Sequence, residues 1–395
     1  MNNLNTLPGN EDIKDKIIFL KVDFNIPIKD GKVIDDTKIV KMKEIINKLL
    51  SRKTKIILCS HLGRPQKNGN EGLSLEQVKN RLENIFKKDI VFLNNYLNKE
   101  TKDNIKKSNK ELFLLENIRF HKEEENNDTE FSKQLASIAD IYINEAFSCS
   151  HRAHASVTGI TKFIRSYAGE TIINELNSLE KIFNKSNRPV TCIIGGSKIS
   201  TKIDLISNLI KKVDFMIIGG AMANNFIKYN NFKIGKSLFE PHKEETIKEI
   251  ISTAHENNCK LIIPEDVIVS ANENIAGKNK SLSEIESNDI IFDIGANTIK
   301  NIGKIINSSK TLLWNGPLGF FERDFFANGS NEIAQLIKIN TQKKLLTSIA
   351  GGGDTAAAIK KAKAEDGFSY ISTAGGAFLE WLEGKILPGL KVLEK

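Results

Sequence analysis

The sequence predicts an α/β protein with two doubly wound (Rossmann-like) parallel-sheet domains that face each other across a cleft and are joined by a helix. Three observations lead to this fold class. Short apolar runs alternate with amphipathic stretches along the chain, as in repeated βα units. The apolar runs are continuous, which is typical of strands buried on both faces. The length of 395 residues is too great for one compact core and favours two domains, with three as the alternative.

Nine apolar runs are predicted as strands. The first half contains KIIFLKVDF, TKIILCSH, ELFLLEN and DIYINEAF, and the second contains PVTCIIGG, DFMIIGG, KLIIP, TLLWNG and LLTSIA. Between strands, DDTKIVKMKEIINKLL and STKIDLISNLIKK have the spacing of amphipathic helices. The longest helical pattern without functional-looking residues is GETIINELNSLEKIFNK, residues 169–185. We therefore predict that residues 169–185 form the connecting helix.

The net charge of this chain does not distinguish between the candidate functions. The net charge of +8 and the isoelectric point near 9.0 suit a protein that binds nucleic acid or a small polyanion. They equally suit a solvated lysine surface, as in NKETKDNIKKSNK. A nucleic-acid-binding surface would interleave basic and aromatic residues, whereas the arginines of the loop motifs described below stand singly. We expect no nucleic-acid partner.

The composition also indicates the compartment. No apolar run approaches the roughly 20 residues of a membrane span, and MNNLNTLPGNEDIKDK lacks the basic cluster and apolar segment of a signal peptide. The four cysteines are scattered, with no CxxC pair. This usage favours a reducing cytosol and argues against a disulfide framework or a zinc site. We expect a cytoplasmic protein with no membrane partner.

Unusual residues in the first half follow the predicted strands. Ligands of open parallel sheets bind beyond the carboxyl ends of the strands. KVDFNIP places alternate residues on one face of an extended segment, and CSHLGRP, LENIRFHKEEE and AFSCSHRAHAS add basic side chains. Each residue alone has a structural explanation, such as a turn or a surface arginine. Together they predict a pocket for a small, multiply anionic molecule; they are Lys21, Asp23, Asn25, His61, Arg64, Arg119, His151 and Arg152.

The second half carries glycine-rich strand ends. IIGGSKISTKI places Lys198 and Lys202 four residues apart, on one face of a predicted helix, and LLWNGPLGFFE and IAGGGDT follow two further strands. Two interpretations of IAGGGDT remain open. Asp354 caps the helix that follows, or the glycines approach a phosphate and Asp354 ligates the Mg²⁺ that the phosphate carries.

Several other enzyme classes are disfavoured. Residues 235–237 resemble the end of a phosphate-binding P-loop, but Asn230 stands where that motif needs glycine. A nicotinamide-dependent dehydrogenase would need a glycine fingerprint after its first strand, and KVDFNIP has none. No Ser–His–Asp set or close acid pair suits acyl or glycoside hydrolysis. Phosphoryl transfer requires none of these, because it depends on positioning and charge neutralisation.

Eight motifs, taken in order, resemble those of the phosphoglycerate kinase family. They are KVDFNIP, SHLGRP, LENIRF, HRAHAS, GGSKIS, WNGPLGFFE, AGGGDTAAA and STAGGAFLEWLEGKILPG, and they span residues 21–389. The resemblance implies a cytosolic, monomeric two-domain enzyme of glycolysis and gluconeogenesis. It would transfer phosphate reversibly between 1,3-bisphosphoglycerate with Mg-ADP and 3-phosphoglycerate with Mg-ATP. Residues 1–168 and a C-terminal return of about 375–395 would bind 3-phosphoglycerate, and residues 186–374 would bind the nucleotide.

The resemblance also implies roles for individual residues. Asp23, Phe24 and Asn25 would hold the hydroxyl and carboxyl end of the glycerate. The distal phosphate would be bound by His61, Leu62, Gly63, Arg64, Arg119, His151 and Arg152. Lys198 would lie by the transferring phosphoryl group and Lys202 by the nucleotide phosphates, while Glu322 would bind the ribose. The remaining nucleotide residues would be Gly195, Asn315, Pro317, Gly351, Gly352, Gly353 and Thr355, with Asp354 as the Mg²⁺ ligand. The catalytic residues would be Lys38, Lys198 and Gly353.

The chain departs from the family pattern at two basic positions. Lys38 aligns with an arginine that the family uses on the transferring phosphoryl group, and Lys21 replaces an arginine of the basic patch. Lysine keeps the charge but loses the planar fork of guanidinium. We expect Lys38 to keep the role, at a lower rate. Ala374 replaces a glycine of many members, a change that we regard as minor.

Overall fold

A computed structural model describes residues 3–7, 13–65, 69–98, 100–180, 188–372 and 374–395. The chain divides into two compact units, Met1–Glu175 with Ile386–Lys395, and Leu176–Lys385. Residues 181–187, which include the predicted end of the connecting helix, lie outside the described residues. Of the described helices, none combines the length and apolarity that a membrane crossing requires.

The first unit is built on a parallel sheet. The strands of that sheet are β1 (Ile17–Lys21), β4 (Lys55–Cys59), β5 (Ile90–Leu93), β6 (Leu112–Leu115), β7 (Ile141–Asn144) and β8 (Arg165–Ala168). Strands β2 (Ile28–Lys29) and β3 (Lys32–Val33) form a separate antiparallel pair. Its helices are α1 (Thr37–Ser51), α2 (Glu76–Phe86), α3 (Thr101–Lys107), α4 (Lys122–Glu125) and α5 (Thr129–Ser137). Helix α6 (Glu170–Glu180) follows and contains the boundary between the two units.

The register of this sheet brings the predicted binding residues to one edge. The strand order is β5-β6-β4-β1-β7-β8, and every neighbouring pair is parallel. Lys21, the last residue of β1, pairs with Cys59 of β4 and Asn144 of β7. The loops that follow these three strands therefore begin side by side. Helix α1 buries Ile39, Met42 and Ile46 in the core of the unit.

The second unit contains a second parallel sheet and a small antiparallel one. Its strands are β9 (Val190–Ile194), β10 (Phe215–Ile218), β11 (Lys260–Ile262), β12 (Asp266–Ser270), β13 (Lys278–Ser281), β14 (Ile290–Ile294), β15 (Thr311–Asn315), β16 (Thr347–Gly351) and β17 (Tyr370–Ser372). Its helices are α7 (Ile203–Ile210), α8 (Ala223–Tyr229), α9 (Glu244–Glu256), α10 (Ala296–Ser308), α11 (Asn328–Gln342), α12 (Gly353–Lys361) and α13 (Gly376–Leu382). Helix α14 (Pro388–Lys391) belongs to the first unit.

The two sheets confirm the predicted α/β class. The larger sheet of the second unit has the order β11-β10-β9-β15-β16-β17 and is parallel throughout. The antiparallel sheet β13-β12-β14 was not predicted. Its edge strand β13 reads KNKS and is half-exposed to exposed, so it lacks the apolar run that marked the nine predicted strands.

The C-terminal segment packs within the first unit. Leu4 and Glu394 form an antiparallel bridge, and the amide of Gly389 in α14 donates to the carbonyl of Ser150 at 2.8 Å. The compact units divide between Glu175 and Leu176 and between Lys385 and Ile386. The functional division at residues 168/169 and about 374/375 stays a prediction.

Candidate active site

Asp23 is the centre of a polar cluster after β1. Its carboxylate lies 2.7 Å from the Lys38 Nζ and accepts a hydrogen bond from the Ser148 Oγ at 2.5 Å. The Lys38 Nζ also donates to the Asn25 carbonyl at 3.1 Å. Burial opposes ionisation of Asp23, but the charge of Lys38 and the hydrogen bonds from Lys38 and Ser148 outweigh it and lower its pKa to about 2. The structure thus joins the predicted Asp23, Asn25 and Lys38, and adds Ser148.

The turn after β4 is fixed against this cluster. Gly63 has a φ of +61°, in the left-handed region that favours glycine. Its amide donates to the Asn25 Oδ1 at 2.9 Å, and its carbonyl accepts from the Arg119 guanidinium at 3.0 Å. The Phe24 amide donates to the Ser60 Oγ at 2.8 Å. Arg64, on the same turn, is exposed, so its guanidinium is accessible to a ligand from solvent.

Asn117 connects the loops that carry these residues. Its Nδ2 donates to the carbonyls of Leu62 and Leu73 at 2.8 and 2.9 Å. Its Oδ1 accepts from the amides of Leu62 and Arg119 at 3.2 and 3.1 Å. Asn117 is fully buried. The four hydrogen bonds use both N–H groups of its Nδ2 and both lone pairs of its Oδ1. Sequence analysis missed it; the available signal was its position two residues before Arg119 in LENIRF.

The histidines of the predicted basic set are uncharged at neutral pH. Burial holds the pKa of His61 well below its ordinary value. Burial, followed by the charge of Arg152, lowers the pKa of His151 to about 4. The His151 Nε2 accepts a hydrogen bond from the Arg152 Nε at 3.1 Å, which requires the neutral ring. The positive charge of the set therefore resides on its arginines and on Lys21, and Lys38 lies beside the set at Asp23.

Lys21 lies beneath this surface rather than on it. Its side chain is 1% exposed, and its Nζ lies 3.9 Å from the Cys59 Sγ. Burial opposes its charge, yet the neighbouring Cys59 and Glu124 outweigh burial and raise its pKa. Glu124 is also buried and is held by the amide and hydroxyl of Ser156 at 2.8 and 2.6 Å. Lys21 is therefore a buried positive charge beneath the exposed basic residues of the set.

The three central strands of the second unit end in a hydrogen-bonded group. The Gly195 amide donates to the Asn315 carbonyl at 2.9 Å, and the Asn315 Nδ2 donates to the Gly351 carbonyl at 2.7 Å. The Gly316 amide donates to the Thr355 Oγ1 at 2.7 Å. The Lys202 Nζ donates to the Asn315 Oδ1. The structure therefore brings together five of the predicted nucleotide residues: Gly195, Lys202, Asn315, Gly351 and Thr355.

Two glycines that follow these strands, Gly195 and Gly352, have no room for a side chain. A Cβ on Gly195 would lie 1.9 Å from the Pro317 carbonyl oxygen. Gly352 has a φ of +99°, and a Cβ there would lie 2.8 Å from the Asn315 Nδ2. Gly352 is also the N-cap residue of α12, and Asp354 is the second residue of that helix and is exposed. The structure therefore does not support the interpretation of Asp354 as the helix cap.

The prediction that Lys198 and Lys202 share a helix face is wrong. Lys198 has an extended backbone, a 3₁₀ turn follows at Ile199–Thr201, and α7 begins only after Lys202. Lys198 is exposed. The turn is held by Glu240, whose carboxylate accepts from the amide and hydroxyl of Ser200 at 2.8 and 2.5 Å. Sequence analysis missed Glu240, because 40 residues separate it from the turn that it holds.

A cavity of about 400 Å³ lies within the second unit. Predicted residues on its wall are Pro317, Glu322 and Asp354, and apolar walls come from Ile227, Val267, Ile291, Phe292 and Leu318. Asp293 also lines it; burial raises its pKa to about 7, although the amides of Ile294 and Gly329 donate to it. The size and lining suit one small molecule that has an apolar body and a polar end.

The donor set of the described residues suits a metal carried by a ligand rather than a resident metal. The described ranges contain no group of three or more His, Cys, Asp or Glu side chains that would hold an ion. Asp354 is one exposed carboxylate at the glycine-rich end of the cavity. Mg²⁺ is often bound by one or two carboxylates together with substrate phosphates and water. The residues present therefore fit Mg²⁺ that arrives with a phosphate.

The geometry defines a class of protein: an α/β protein of two units, with a glycine-lined cavity in one and a polar cluster that carries arginines in the other. The family model for phosphoglycerate kinase matches residues 9–385. A phosphoglycerate kinase of Wolbachia from Brugia malayi is 45% identical over 391 residues, with 98% of this chain and 97% of that protein covered. One from Orientia tsutsugamushi is 45% identical over 386 residues, covering 96% and 95%.

Solved structures agree with these relatives. The phosphoglycerate kinase of Coxiella burnetii has a TM-score of 0.88 and 38% identity, with 97% of both chains covered. That of Pyrococcus horikoshii has a TM-score of 0.81 and 25% identity, with 98% of both chains covered. The chain belongs to the phosphoglycerate kinase family. It is accordingly a transferase of glycolysis, a kinase that transfers phosphate to a carboxyl acceptor.

Proposed function

We propose that this chain transfers a phosphoryl group reversibly between Mg-ATP and the carboxylate of 3-phosphoglycerate. The observation that carries the proposal is the hydrogen-bonded group of Gly195, Asn315, Gly351 and Thr355, with Lys202 beside it. Three residues of the cavity wall, Gly196, Pro317 and Asp354, lie within two residues in sequence of this group. Backbone amides free of side chains and a lysine are what polyphosphate binding requires. In the first unit, Asp23, Asn25 and three arginines supply the complementary site for a phosphorylated hydroxy acid.

The nucleotide would lie in the second unit. Its base would occupy the apolar part of the cavity, and Glu322 would accept hydrogen bonds from the ribose hydroxyls. Lys202 and the amides of Gly351, Gly352, Gly353 and Thr355 would bind the phosphates. Mg²⁺, held by Asp354 and phosphate oxygens, would neutralise charge on the phosphates. Lys198 is exposed, and we assign it to the transferring phosphoryl group.

The glycerate would lie in the first unit. Asp23 and Asn25 would hold its hydroxyl and carboxyl end, and the distal phosphate would be bound by the charged set Arg64, Arg119 and Arg152. His61 and His151, which are neutral, would contribute hydrogen bonds rather than charge. Arg119 is 4% exposed and already bonded to the Gly63 carbonyl, so it enters the site preorganised.

The reaction needs no general base. A carboxylate with a pKa of about 3.5 is ionised at pH 7, so its oxygen attacks the γ-phosphorus directly. The new O–P bond forms as the bond between the γ-phosphorus and the bridging oxygen breaks, and ADP leaves with that electron pair. Catalysis then consists of positioning and stabilisation of negative charge by Lys38, Lys198 and the Gly353 amide.

We further propose that the two units close on each other during the reaction, because the two substrates bind to different units. Closure would exclude water, which otherwise competes as acceptor. Helix α6 contains one unit boundary, and we assign the hinges to the two ends of the connector, residues 169–185. We expect a monomeric, cytoplasmic enzyme without nucleic-acid or membrane partners.

A coupled assay tests the proposal. Purified protein with 3-phosphoglycerate, ATP and Mg²⁺ should form ADP, and the rate should need all three components. Asp354→Asn should raise the Mg²⁺ concentration needed for half-maximal rate, and Lys360→Ala, an exposed change on the same helix, should leave it unchanged. Turnover that continues without 3-phosphoglycerate, or an Mg²⁺ requirement unaffected by Asp354→Asn, would contradict the proposal.

A further inference from the structure

Ser148 supplies one of the three hydrogen bonds that hold the carboxylate of Asp23. The Asp23 Oδ1 accepts from the Asn25 amide at 2.9 Å, and the Oδ2 accepts from the Lys38 Nζ at 2.7 Å and from the Ser148 Oγ at 2.5 Å. A carboxylate has about four acceptor sites in all. The protein therefore occupies both sites of the Oδ2 and leaves one site on the Oδ1.

The fold holds the Ser148 hydroxyl in place, although 125 residues separate it from Asp23 along the chain. Strand β7 lies parallel to β1, so the chain leaves both strands at the same edge of the sheet. A 3₁₀ turn, Phe147–Cys149, follows β7, and the first and last side chains of that turn are buried. The turn is thus anchored on both sides of Ser148.

The ammonium of Lys38 keeps one N–H group that the protein does not use. Two of its three donors bond to the Asp23 Oδ2 and to the Asn25 carbonyl, the latter at 3.1 Å. Within the described ranges the third donor has no partner, and the Lys38 side chain is 25% exposed. If Ser148 did not donate to the Oδ2, the ammonium paired with Asp23 would have to satisfy the second site of that oxygen. Ser148 therefore leaves the third N–H group of Lys38 for a ligand.

An arginine at position 38 would not need this additional donor. A guanidinium carries five N–H donors in a planar fork, and two of them can bond one carboxylate. An ammonium carries three donors, so the lysine that the resemblance aligns with a family arginine brings two fewer. The Ser148 hydroxyl replaces one of those donors, on the same oxygen that Lys38 binds.

We propose that Ser148 is a positioning residue that adapts the site to lysine at position 38. Its hydroxyl gives the Asp23 Oδ2 a second hydrogen bond, so that one N–H group of Lys38 is left for the migrating phosphoryl group. This inference rests on the proposed function in assigning Lys38 to that group. Ser148 acts through Asp23 and Lys38 rather than on the substrate.

A double-variant cycle in the coupled assay tests this inference on the full chain. Ser148→Ala should lower kcat about tenfold with the KM for ATP unchanged, and Ser148→Thr, which keeps the hydroxyl, should retain most of the wild-type kcat. With arginine at position 38 the serine should be dispensable, so adding Ser148→Ala to Lys38→Arg should change kcat by less than about twofold. Ser137→Ala is the matched control and should leave kcat unchanged. Ser137 is exposed on helix α5, and its hydroxyl bonds to the Gln134 carbonyl at 2.7 Å.

The rates are compared per folded molecule, with the folded fraction taken from circular dichroism. A purely structural role of Ser148 would lower the melting temperature equally with lysine or arginine at position 38 and leave kcat per folded molecule unchanged, and this result would overturn the inference. An equal loss of kcat from Ser148→Ala in the two backgrounds would overturn it as well. Where Ser148→Ala alone does not fold, its combination with Lys38→Arg decides the question, because that enzyme should turn over as fast as Lys38→Arg. A wild type that does not turn over 3-phosphoglycerate would refute the proposed function, whereas an active wild type without coupling between positions 38 and 148 would refute this inference alone.

Discussion

Replacing Lys38 by alanine should damage both stability and turnover, because the Lys38 ammonium neutralises the buried carboxylate of Asp23. The two groups lie 2.7 Å apart, with side chains 25% and 13% exposed. The pKa of Asp23 falls from 3.8 to about 2; a decrease of this size corresponds to about 2 kcal/mol of stabilisation at neutral pH. Ser148 shares this effect, so we expect Lys38→Ala to lower the free energy of unfolding by about 1–2 kcal/mol.

The pH dependence has a defined sign. The pKa of Asp23 is lower in the folded chain than in the unfolded one, so its contribution is fully present above the unfolded value. It disappears as the pH falls from about 4 through about 2. Urea unfolding at pH 7 should therefore separate wild type from Lys38→Ala, and the difference should shrink towards pH 2.

The kinetic effect should be larger than the stability effect. If Lys38 stabilises charge on the migrating phosphoryl group, its removal should lower kcat about 10²–10³-fold. Lys38→Arg restores the charge together with a planar fork and should retain or exceed the wild-type kcat. Lys41→Ala, an exposed change on the same helix, is the control and should behave as wild type. A Lys38→Ala enzyme with wild-type kcat and KM would refute the assignment.

Three further changes follow from buried groups. Asn117→Asp removes the donors to the carbonyls of Leu62 and Leu73; it should raise the KM for 3-phosphoglycerate about tenfold with the KM for ATP unchanged, and an equal rise in both would contradict the reasoning. Burial raises the pKa of Asp293 to about 7, so ionisation of Asp293 lowers the stability of wild type as the pH rises from about 4 to 7. The melting temperature of Asp293→Asn should therefore increase relative to that of wild type between pH 5 and pH 8. A difference in melting temperature that stays constant over this range would refute the reasoning. All four cysteines are buried, and burial raises the pKa of Cys59 to about 12; Ellman's reagent should react with them only in urea, and rapid reaction of the native protein would exclude this packing.

The parallel sheets were predictable because burial on both faces leaves a mark in the sequence. Strands such as β1, IIFLK, and β9, VTCII, are fully buried and nearly all apolar. Parallel pairing then brings their carboxyl ends to one edge, so the loop motifs could be assigned to common sites before any coordinates were known. Strand β13 was not predicted, because it is polar and half-exposed to exposed and is defined only by its pairing with β12.

The hydrogen-bond partners within the sites could not be predicted in the same way. Asn117 is an ordinary amide in the sequence, and its importance depends on which backbone atoms lie within about 3 Å. Glu240 reaches a turn 40 residues away. The spacing of Lys198 and Lys202 suggested one helix face, but a 3₁₀ turn occupies that segment. Spacing predicts periodic elements; it does not predict the short turns that end them.

The two lysines that the resemblance aligns with family arginines differ in their physical setting. Lys38 is partly exposed, and its ammonium already reaches two oxygens, of Asp23 and Asn25, so a guanidinium there would find acceptors on both the protein and the substrate. Lys21 is 1% exposed, and its compact ammonium lies between buried thiols and the charge of Glu124. A guanidinium at that position would bring five donors into a space whose carboxylate is already bonded to Ser156. Lysine at position 21 is therefore adapted to the packing around it, whereas lysine at position 38, under the proposed function, would act on the migrating phosphoryl group.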